Sequence, residues 1–235
     1  MVLLVCILSI SCGIDEYYYL PQLPESNINT TSNTEAVIVI PPIDYIYYAA
    51  GYTIFYRIYT SERPWLASIT QSDMSYISSS LASDYSSLYN VTDPTNTTLV
   101  LSLSTFTNMN YFEIQFEGAN VRSKLSTTGG TLRITFPTAS SSIPLVNIND
   151  EEINLRRSRN LISPVPNDRY FRNTFELRDR ANANSNANAD VAVYSDSSQY
   201  TYVSMYIVAI GTNPENFNPI LSKPTHISVF RLPDH

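Results

Sequence analysis

Gly51-Tyr52-Thr53-Ile54-Phe55-Tyr56-Arg57-Ile58-Tyr59 is the stretch that decides the fold class of this chain. In an extended chain, successive side chains point to opposite faces. One face then carries Tyr52, Ile54, Tyr56 and Ile58, and the other carries Thr53, Phe55, Arg57 and Tyr59. Aromatic and β-branched side chains favour the half-buried surface of a sheet. We therefore predict a β-strand at residues 51–59 and a protein that is mainly β.

Short apolar runs bounded by turn residues lie on both sides of this strand, a pattern typical of a sandwich or a barrel. Residues 36–40 form a β-branched run that stops at Pro41-Pro42, which predicts a buried strand. We predict further strands at residues 99–103, 111–116, 132–136, 200–210 and 225–232. The first two of these are expected to form a hairpin across residues 108–110, and the last two a pair. Spacings of three and four from Met74 to Leu88 predict one amphipathic helix.

Composition argues against one class of partner and limits the chemistry of the chain. The net charge is −7, and Lys124 and Lys223 are the only lysines, so no broad basic face exists to neutralise phosphates. We expect no nucleic-acid partner. Cys6 and Cys12 are the only cysteines and lie in the first dozen residues, which leaves the body without disulfide or thiolate chemistry.

The first ten residues are an apolar run that meets Ser11, Cys12 and Gly13. Such a run is shorter than the roughly 20 apolar residues of a membrane-spanning helix, but it suits a signal peptide. Ser9-Ile10-Ser11-Cys12 resembles a bacterial lipobox, in the relaxed form familiar in spirochaetes. The resemblance implies a signal peptide at residues 1–11 and a lipid on Cys12 that anchors the chain to a membrane of the cell envelope. The outer membrane is favoured over the inner one.

Two expectations accompany this lipobox. Because no Lys or Arg precedes the apolar run, we expect the true translation start to lie upstream. The alternative to a signal peptide is that residues 1–12 form a buried first strand. Residues 15–34 are polar and rich in Pro and Asn, which is typical of a spacer. We therefore predict a lipid-anchored tether at residues 12–34, whose tyrosines at positions 17–19 lie either against lipid headgroups or against the domain.

Both ends of the remaining chain resemble a fibronectin type III domain. The first motif is residues 36–40, Pro41-Pro42 and the strand that begins Gly51-Tyr52, and the second is residues 202–210, Ser222-Lys223-Pro224 and residues 227–232. The resemblance implies an immunoglobulin-like β-sandwich, for which about 100 residues suffice. We therefore predict a single elaborated domain at residues 35–235, with a long insertion at roughly residues 61–197 that contains extra strands and one helix.

Residue types that carry catalysis are scarce. His226 and His235 are the only histidines, and His226 lies in a predicted strand, where we assign it a structural role. The chain has no glycine-rich phosphate loop, nucleophile elbow or EF-hand spacing. We expect no catalytic residues, no metal site and no cofactor.

These observations favour a non-enzymatic cell-envelope lipoprotein, a binding or structural module that presents sandwich loops to a protein or a glycan. One alternative is a glycan hydrolase, which needs two carboxyl groups facing one bond. Its candidate acids are Asp150, Glu151, Glu152, Glu113 and Glu117. For the first three of these, the favoured interpretation is a solvated loop. A second alternative is a carrier of an apolar ligand between the sheets.

Overall fold

A computed structural model describes residues 18–61, 103–116, 120–136, 144–157 and 200–232, which form a mainly β structure with two sheets. The first sheet consists, in spatial order, of β1 (Ile28–Ser32), β2 (Glu35–Ile40), β6 (Gly130–Thr135), β7 (Leu145–Ile148), β8 (Glu151–Arg156) and β5 (Gln115–Phe116). In the second sheet, β10 (Pro219–Leu221) and β11 (Thr225–Arg231) both pair with β9 (Tyr200–Thr212). Strand β9 also pairs with β3 (Ala49–Ser61), which pairs with β4 (Phe112–Glu113). The described helices are α1 (Leu103–Asn108), α2 (Val121–Lys124) and a 3-10 turn at Glu25–Asn27.

The two sheets face each other across one hydrophobic core, so the arrangement is sandwich-like. The first sheet contributes Ile38, Leu132 and Ile134, among others. The second sheet contributes Tyr52, Ile54, Tyr56 and Ile58 from β3, and Val203, Met205, Ile207 and Ala209 from β9. All of these side chains are fully buried. Because burial of a large apolar side chain contributes about 1.5–3 kcal/mol, the β3–β9 pair is a major source of stability.

The predicted alternation of β3 is confirmed, and both faces of the strand are buried. Phe55 and Tyr59 belong to a second cluster on the outer side of the sheet. Phe106 of α1 stacks on Phe55 with ring centroids 4.1 Å apart. The hydroxyl groups of Tyr59 and Tyr111 share a hydrogen bond of 2.7 Å. Helix α1 and the residues after it therefore cover the outer face of β3. From the alternation alone, this face was expected to be only half buried.

Four other strand predictions are confirmed. Residues 36–40, 132–136, 200–210 and 225–232 correspond to β2, β6, β9 and β11, and the last two pair as expected. The predicted helix at residues 74–88 lies outside the described residues.

The predicted hairpin across residues 108–110 is wrong, and so is the last residue of the strand predicted at residues 99–103. Leu103 begins α1 instead of ending a strand. Leu103 and Phe106 both pack against the outer cluster, because a helix places residues three apart on the same face. Asn110 follows the helix with a φ of 57°, a left-handed conformation that Asn tolerates at helix ends. Residues 99–102 lie outside the described residues, so the rest of that strand stays a prediction.

The predicted strand at residues 111–116 is divided between the two sheets. Its first part, β4, pairs with β3, and its second part, β5, pairs with β8. Ile114 lies between them, is buried, and donates its backbone N–H to the Ile54 carbonyl at 2.9 Å. The segment therefore crosses from one sheet to the other and connects them along one edge.

The interpretation of residues 150–152 as a solvated loop is wrong for two of the three residues. Asn149 and Asp150 have φ values of 47° and 71° and form the two-residue turn between β7 and β8. Positive φ at both central residues is the requirement of a type I′ hairpin turn. Asp150 alone lies in that turn, whereas Glu151 and Glu152 begin β8, and all three residues are exposed.

Residues 18–34, for which we expected a tether, pack onto the rest of the described chain. Strand β1 pairs with β2 at the edge of the first sheet. Leu20 and Leu23 are buried, and the Leu23 carbonyl accepts a hydrogen bond of 2.6 Å from the Thr225 hydroxyl. The two leucines supply the apolar contacts that a flexible spacer lacks. The folded part therefore begins before Glu35.

Strand directions define two ends of this structure. At one end, β2 and β9 finish and β3 and β6 begin. We name it the Tyr48 end, because Tyr48 is the residue before β3. At the opposite end, the Tyr200 end, β3, β6 and β8 finish and β9 begins. The chain leaves the described part at the Tyr200 end after Ser61, Phe136 and Arg157, where its three longest internal undescribed stretches start.

Candidate functional site

Exposed aromatic side chains are grouped at the Tyr48 end. Tyr19, Tyr45, Tyr47 and Phe217 have exposed fractions of 64%, 74%, 76% and 78%. Among the described residues, the other exposed large hydrophobic side chain is Val39 of β2. Grouped exposed apolar side chains mark contact surfaces, whereas single ones need no explanation. We name Tyr19, Tyr45, Tyr47 and Phe217 the aromatic surface.

The loop at residues 41–48, between β2 and β3, holds two of these tyrosines outward. Ile43 is buried, and Ile46 packs against the main core. The Ile46 N–H donates to the Ile43 carbonyl at 3.0 Å, which closes a turn. Because the two isoleucines are directed inward, Tyr45 and Tyr47 are left in solvent.

The loop at residues 213–218, between β9 and β10, fixes the position of Phe217. The Phe217 N–H donates to the Asn213 carbonyl, and the Glu215 N–H donates to the Asn213 side chain, both at 2.8 Å. Phe217 has a φ of 59°, which is uncommon for a bulky residue. Residues held in such conformations are concentrated at binding and functional sites. The hydrogen bonds of the loop hold the backbone in a conformation in which the Phe217 side chain is exposed.

Tyr48 connects the N-terminal segment to these loops. Its ring packs edge to face on Tyr18 and on Tyr47, with centroid distances of 5.3 and 5.1 Å. Its hydroxyl donates to the Tyr19 carbonyl at 2.7 Å and accepts from the Tyr19 N–H at 3.1 Å. The Tyr18 hydroxyl donates to the Glu215 carboxylate at 3.3 Å. Residues 18 and 19 therefore lie at the Tyr48 end beside both loops.

The charges carried by these segments are acidic. Asp44 and Glu215 are exposed in the two loops. Arg57 is the first basic residue of the chain, and Lys223 is the only one at residues 211–224. The aromatic surface is therefore suited to neutral or cationic groups and disfavours anions.

Tyr52 anchors the base of the loop between β2 and β3. Its side chain is fully buried, and its hydroxyl donates to the Pro41 carbonyl at 3.0 Å. Burial, with a smaller electrostatic contribution from Tyr45, raises the pKa of Tyr52 to about 12. The phenol therefore stays protonated and keeps this hydrogen bond at physiological pH.

Glu113, one of the candidate acids, faces a basic side chain. The Arg122 guanidinium donates to both of its carboxylate oxygens, at 3.1 and 3.2 Å, and the buried Thr53 hydroxyl donates to it as well. Glu113 is the one carboxylate among the described residues that line an adjacent cleft of about 230 Å³. Glycoside hydrolysis needs a second carboxyl group across the scissile bond, which these lining residues do not supply. Glu117 lies outside the described residues.

The other candidate acids do not converge either. Glu151 accepts two hydrogen bonds of 2.6 Å from the Lys124 ammonium. Glu152 follows Glu151 on β8 and points to the opposite face of the strand. Asp150 lies in the preceding turn. These positions are those of solvated surface carboxylates.

His226 lies on β11, opposite Tyr206 of β9. Its Nε2 lies 3.3 Å from the Ser204 Oγ, and its ring lies 4.9 Å from that of Tyr206. Burial lowers the pKa of His226 to about 4, so the imidazole is neutral at pH 7. Ser204 is fully buried. The contacts of the pair are those of packing between two strands.

Two further site predictions concern metals and the lipid anchor. Within the ranges that the structure covers, no three His, Cys, Asp or Glu side chains lie close enough together to hold a metal ion. Cys12, the predicted lipid anchor, and His235 lie outside those ranges.

Sequence reasoning did not single out Tyr45, Tyr47 or Phe217. A signal for the tyrosines was present, because residues 43–48 read Ile-Asp-Tyr-Ile-Tyr-Tyr in a connection between two predicted strands. Aromatic residues in a connecting loop are candidates for binding. Phe217 lies between two asparagines and carried no comparable signal.

Comparison with protein-family models, with curated proteins and with solved structures finds no match to this chain. In the part of the chain that the structure describes, no helix has the length and apolar character needed to cross a membrane. The function is therefore inferred from the chain's own residues and geometry.

Proposed function

We propose that this protein is a non-enzymatic lipoprotein of the cell envelope. A lipid on Cys12 anchors a fibronectin type III-like sandwich, which presents loops to a protein or a glycan. One observation carries this proposal: residues 18 and 19 lie at the Tyr48 end, whereas the three longest internal undescribed stretches start from the Tyr200 end. A chain anchored before residue 18 holds the Tyr48 end near the membrane and directs the Tyr200 end away from it.

Strand order supports the immunoglobulin-like part of the proposal. In such sandwiches the first two strands pair in one sheet, and the third strand pairs with the last but one in the other. Here β1 pairs with β2, and β3 pairs with β9, which pairs with the last strand, β11. The three-residue strand β10, between β9 and β11 in the chain, is an addition to that order and also pairs with β9. Strands β6, β7 and β8 come from the predicted insertion and extend the first sheet.

Metabolic labelling with a palmitate analogue tests the anchor. We expect the wild-type chain to incorporate the label and the Cys12→Ala variant to lose it. The Cys6→Ala variant is the matched control, because Cys6 lies in the segment that signal peptidase removes, and it retains the label. Equal labelling of Cys12→Ala and wild type contradicts lipidation at Cys12.

Proteolysis of intact cells tests where the loops are presented. Degradation of the chain in intact cells indicates presentation outside an outer membrane. Complete protection in intact cells, with degradation after the outer membrane is permeabilised, indicates presentation in the periplasm. An abundant envelope protein of known periplasmic location serves as the control for cell integrity.

A further inference from the structure

We propose that the aromatic surface contacts zwitterionic phospholipid headgroups of the membrane that carries the lipid anchor, and thereby fixes the orientation of the domain. Tyr19, Tyr45, Tyr47 and Phe217 are the contacting side chains. This inference rests on the proposed lipidation of Cys12, and it adds a second attachment between the protein and the membrane.

Chain length brings the aromatic surface to the membrane. Tyr18 follows Cys12 by six residues, which span at most about 22 Å when fully extended. Tyr18 is fixed against Tyr48, whose ring contacts that of Tyr47. A lipid-modified Cys12 lies at the membrane surface, so the Tyr48 end is held within this distance of the headgroups. A small folded domain, roughly 30 Å across, does not fit into that gap. The geometry therefore favours lipid over a protein partner at this end.

The side chains have the chemistry of an interfacial anchor. Tyrosine has an apolar ring and a polar hydroxyl, and it is enriched at the boundary between membrane and water for that reason. Tyr45, Tyr47 and Phe217 are already exposed. Contact with headgroups therefore requires no rearrangement of the described residues.

The charges select the class of headgroup. Asp44 and Glu215 are repelled by an anionic lipid surface, and residues 18–56 contain no basic side chain to offset this. Lys124, which precedes β6 at the same end, is paired with the Glu151 carboxylate. A zwitterionic headgroup offers an ammonium group, which carboxylates pair with and the faces of aromatic rings attract. Phosphatidylcholine and phosphatidylethanolamine are the headgroups of this class.

Fluorescence from single positions tests this contact, and the chain is suited to it because residues 13–235 contain no cysteine. An environment-sensitive dye is attached to a cysteine in Tyr47→Cys and in Phe217→Cys. Thr31→Cys is the matched control, since Thr31 is exposed on β1 close to the turn at the Tyr200 end. The lipidated proteins are reconstituted in phosphatidylcholine vesicles that contain a headgroup-proximal spin-labelled lipid as quencher.

We expect the dye at positions 47 and 217 to shift its emission to the blue and to be quenched, and the dye at position 31 to do neither. Equal quenching at the three positions means that the domain has no preferred orientation and overturns the proposal. The same holds if none of the three positions is quenched. Unchanged thermal unfolding of the three variants, measured by circular dichroism, verifies that they are folded.

A second tether separates this inference from lipidation. The chain from residue 12 onward, with Cys12→Ser and an N-terminal hexahistidine segment, is bound to nickel-chelating lipids in the same vesicles. Quenching at positions 47 and 217 in this form, without palmitate labelling of the cellular protein, refutes the lipid anchor but supports the headgroup contact.

Replacing phosphatidylcholine with phosphatidylglycerol is expected to weaken the contact on the order of tenfold, because two carboxylates then face an anionic surface. Equal or stronger quenching on phosphatidylglycerol overturns the choice of headgroup.

Discussion

Tyr18 and Tyr48 pack edge to face, with ring centroids 5.3 Å apart and ring planes at 85°. Such aromatic pairs contribute about 0.5–1.5 kcal/mol beyond the area that they bury. This contact holds the start of the described chain against the loop between β2 and β3. It therefore determines which end of the sandwich-like body lies nearest to the residues that precede it.

Tyr48→Phe is expected to loosen the N-terminal segment while the ring contact with Tyr18 is kept. The substitution removes the hydroxyl that bonds to both the carbonyl and the N–H of Tyr19. We expect faster amide exchange at residues 18–20 and a free energy of unfolding lowered by about 0.5–1.5 kcal/mol. Hydrogen exchange with mass spectrometry and urea unfolding measure the two effects. Tyr45→Phe, at an exposed position in the same loop, is the control, and equal exchange in the two variants argues against the bridging role.

Gly51→Ala is expected to destabilise the start of β3. Gly51 has a φ of 128°, and a Cβ at this position lies 2.4 Å from the Leu125 carbonyl oxygen. Backbone strain of this kind costs at least about 1–3 kcal/mol, and the steric overlap adds to it. Chemical denaturation measures the loss. Ala50→Ser, at the exposed neighbouring position, is expected to leave stability within about 0.5 kcal/mol of wild type. A Gly51→Ala variant as stable as Ala50→Ser contradicts the conformation described for β3.

The Tyr59 and Tyr111 hydroxyls are expected to be coupled energetically. They share a buried hydrogen bond of 2.7 Å on the outer side of the second sheet. In a double-mutant cycle with Tyr59→Phe and Tyr111→Phe, we expect a coupling of about 0.5–3 kcal/mol in the free energy of unfolding. Tyr59→Phe combined with Tyr52→Phe is the control cycle, because Tyr52 points to the other face of β3. Additivity in both cycles indicates that the hydrogen bond contributes nothing.

The neutral His226 is expected to make stability depend on pH. Its folded-state pKa is about 4, compared with a usual value of 6.5, so the unfolded chain binds more protons between these values. Stability is therefore fully present above pH 6.5 and is lost as pH falls towards 4, by at most about 3 kcal/mol. Urea unfolding from pH 4 to 7.5 measures this slope, which His226→Gln reduces. His235→Gln is expected to keep the wild-type slope, and parallel curves for His226→Gln and wild type refute the assignment.

The local pattern of residues predicted the positions of most strands, but it did not predict which elements pack on the faces of the sheets. Alternation at residues 51–59 identified both faces of β3, because covalent geometry points successive side chains in opposite directions. The alternation alone does not predict that the outer face of β3 is buried as well. Phe106 covers Phe55 from about fifty positions further along the chain, and long-range packing decides such contacts.

The two failures in the middle of the chain have the same cause. Leu103 fits a strand or a helix by its neighbours alone, and the position of Phe106 over the second sheet selects the helix. The chain changes sheets after Ile114 because Phe112, Glu113 and Ile114 bond to β3, whereas Gln115 and Phe116 pair with β8. Buried backbone groups must find such partners, and which partner is within reach is a property of the whole fold.

By itself, the sequence determined that this protein is mainly β, where most of its described strands lie, and which side chains of β3 share a face. These properties follow from residue chemistry and from the two-residue period of an extended chain. Tertiary structure alone decided that Tyr19, Tyr45, Tyr47 and Phe217 lie at the same end of the body. They come from three separate segments, and the contacts of Tyr48 and the hydrogen bonds of the loop at residues 213–218 bring these segments together.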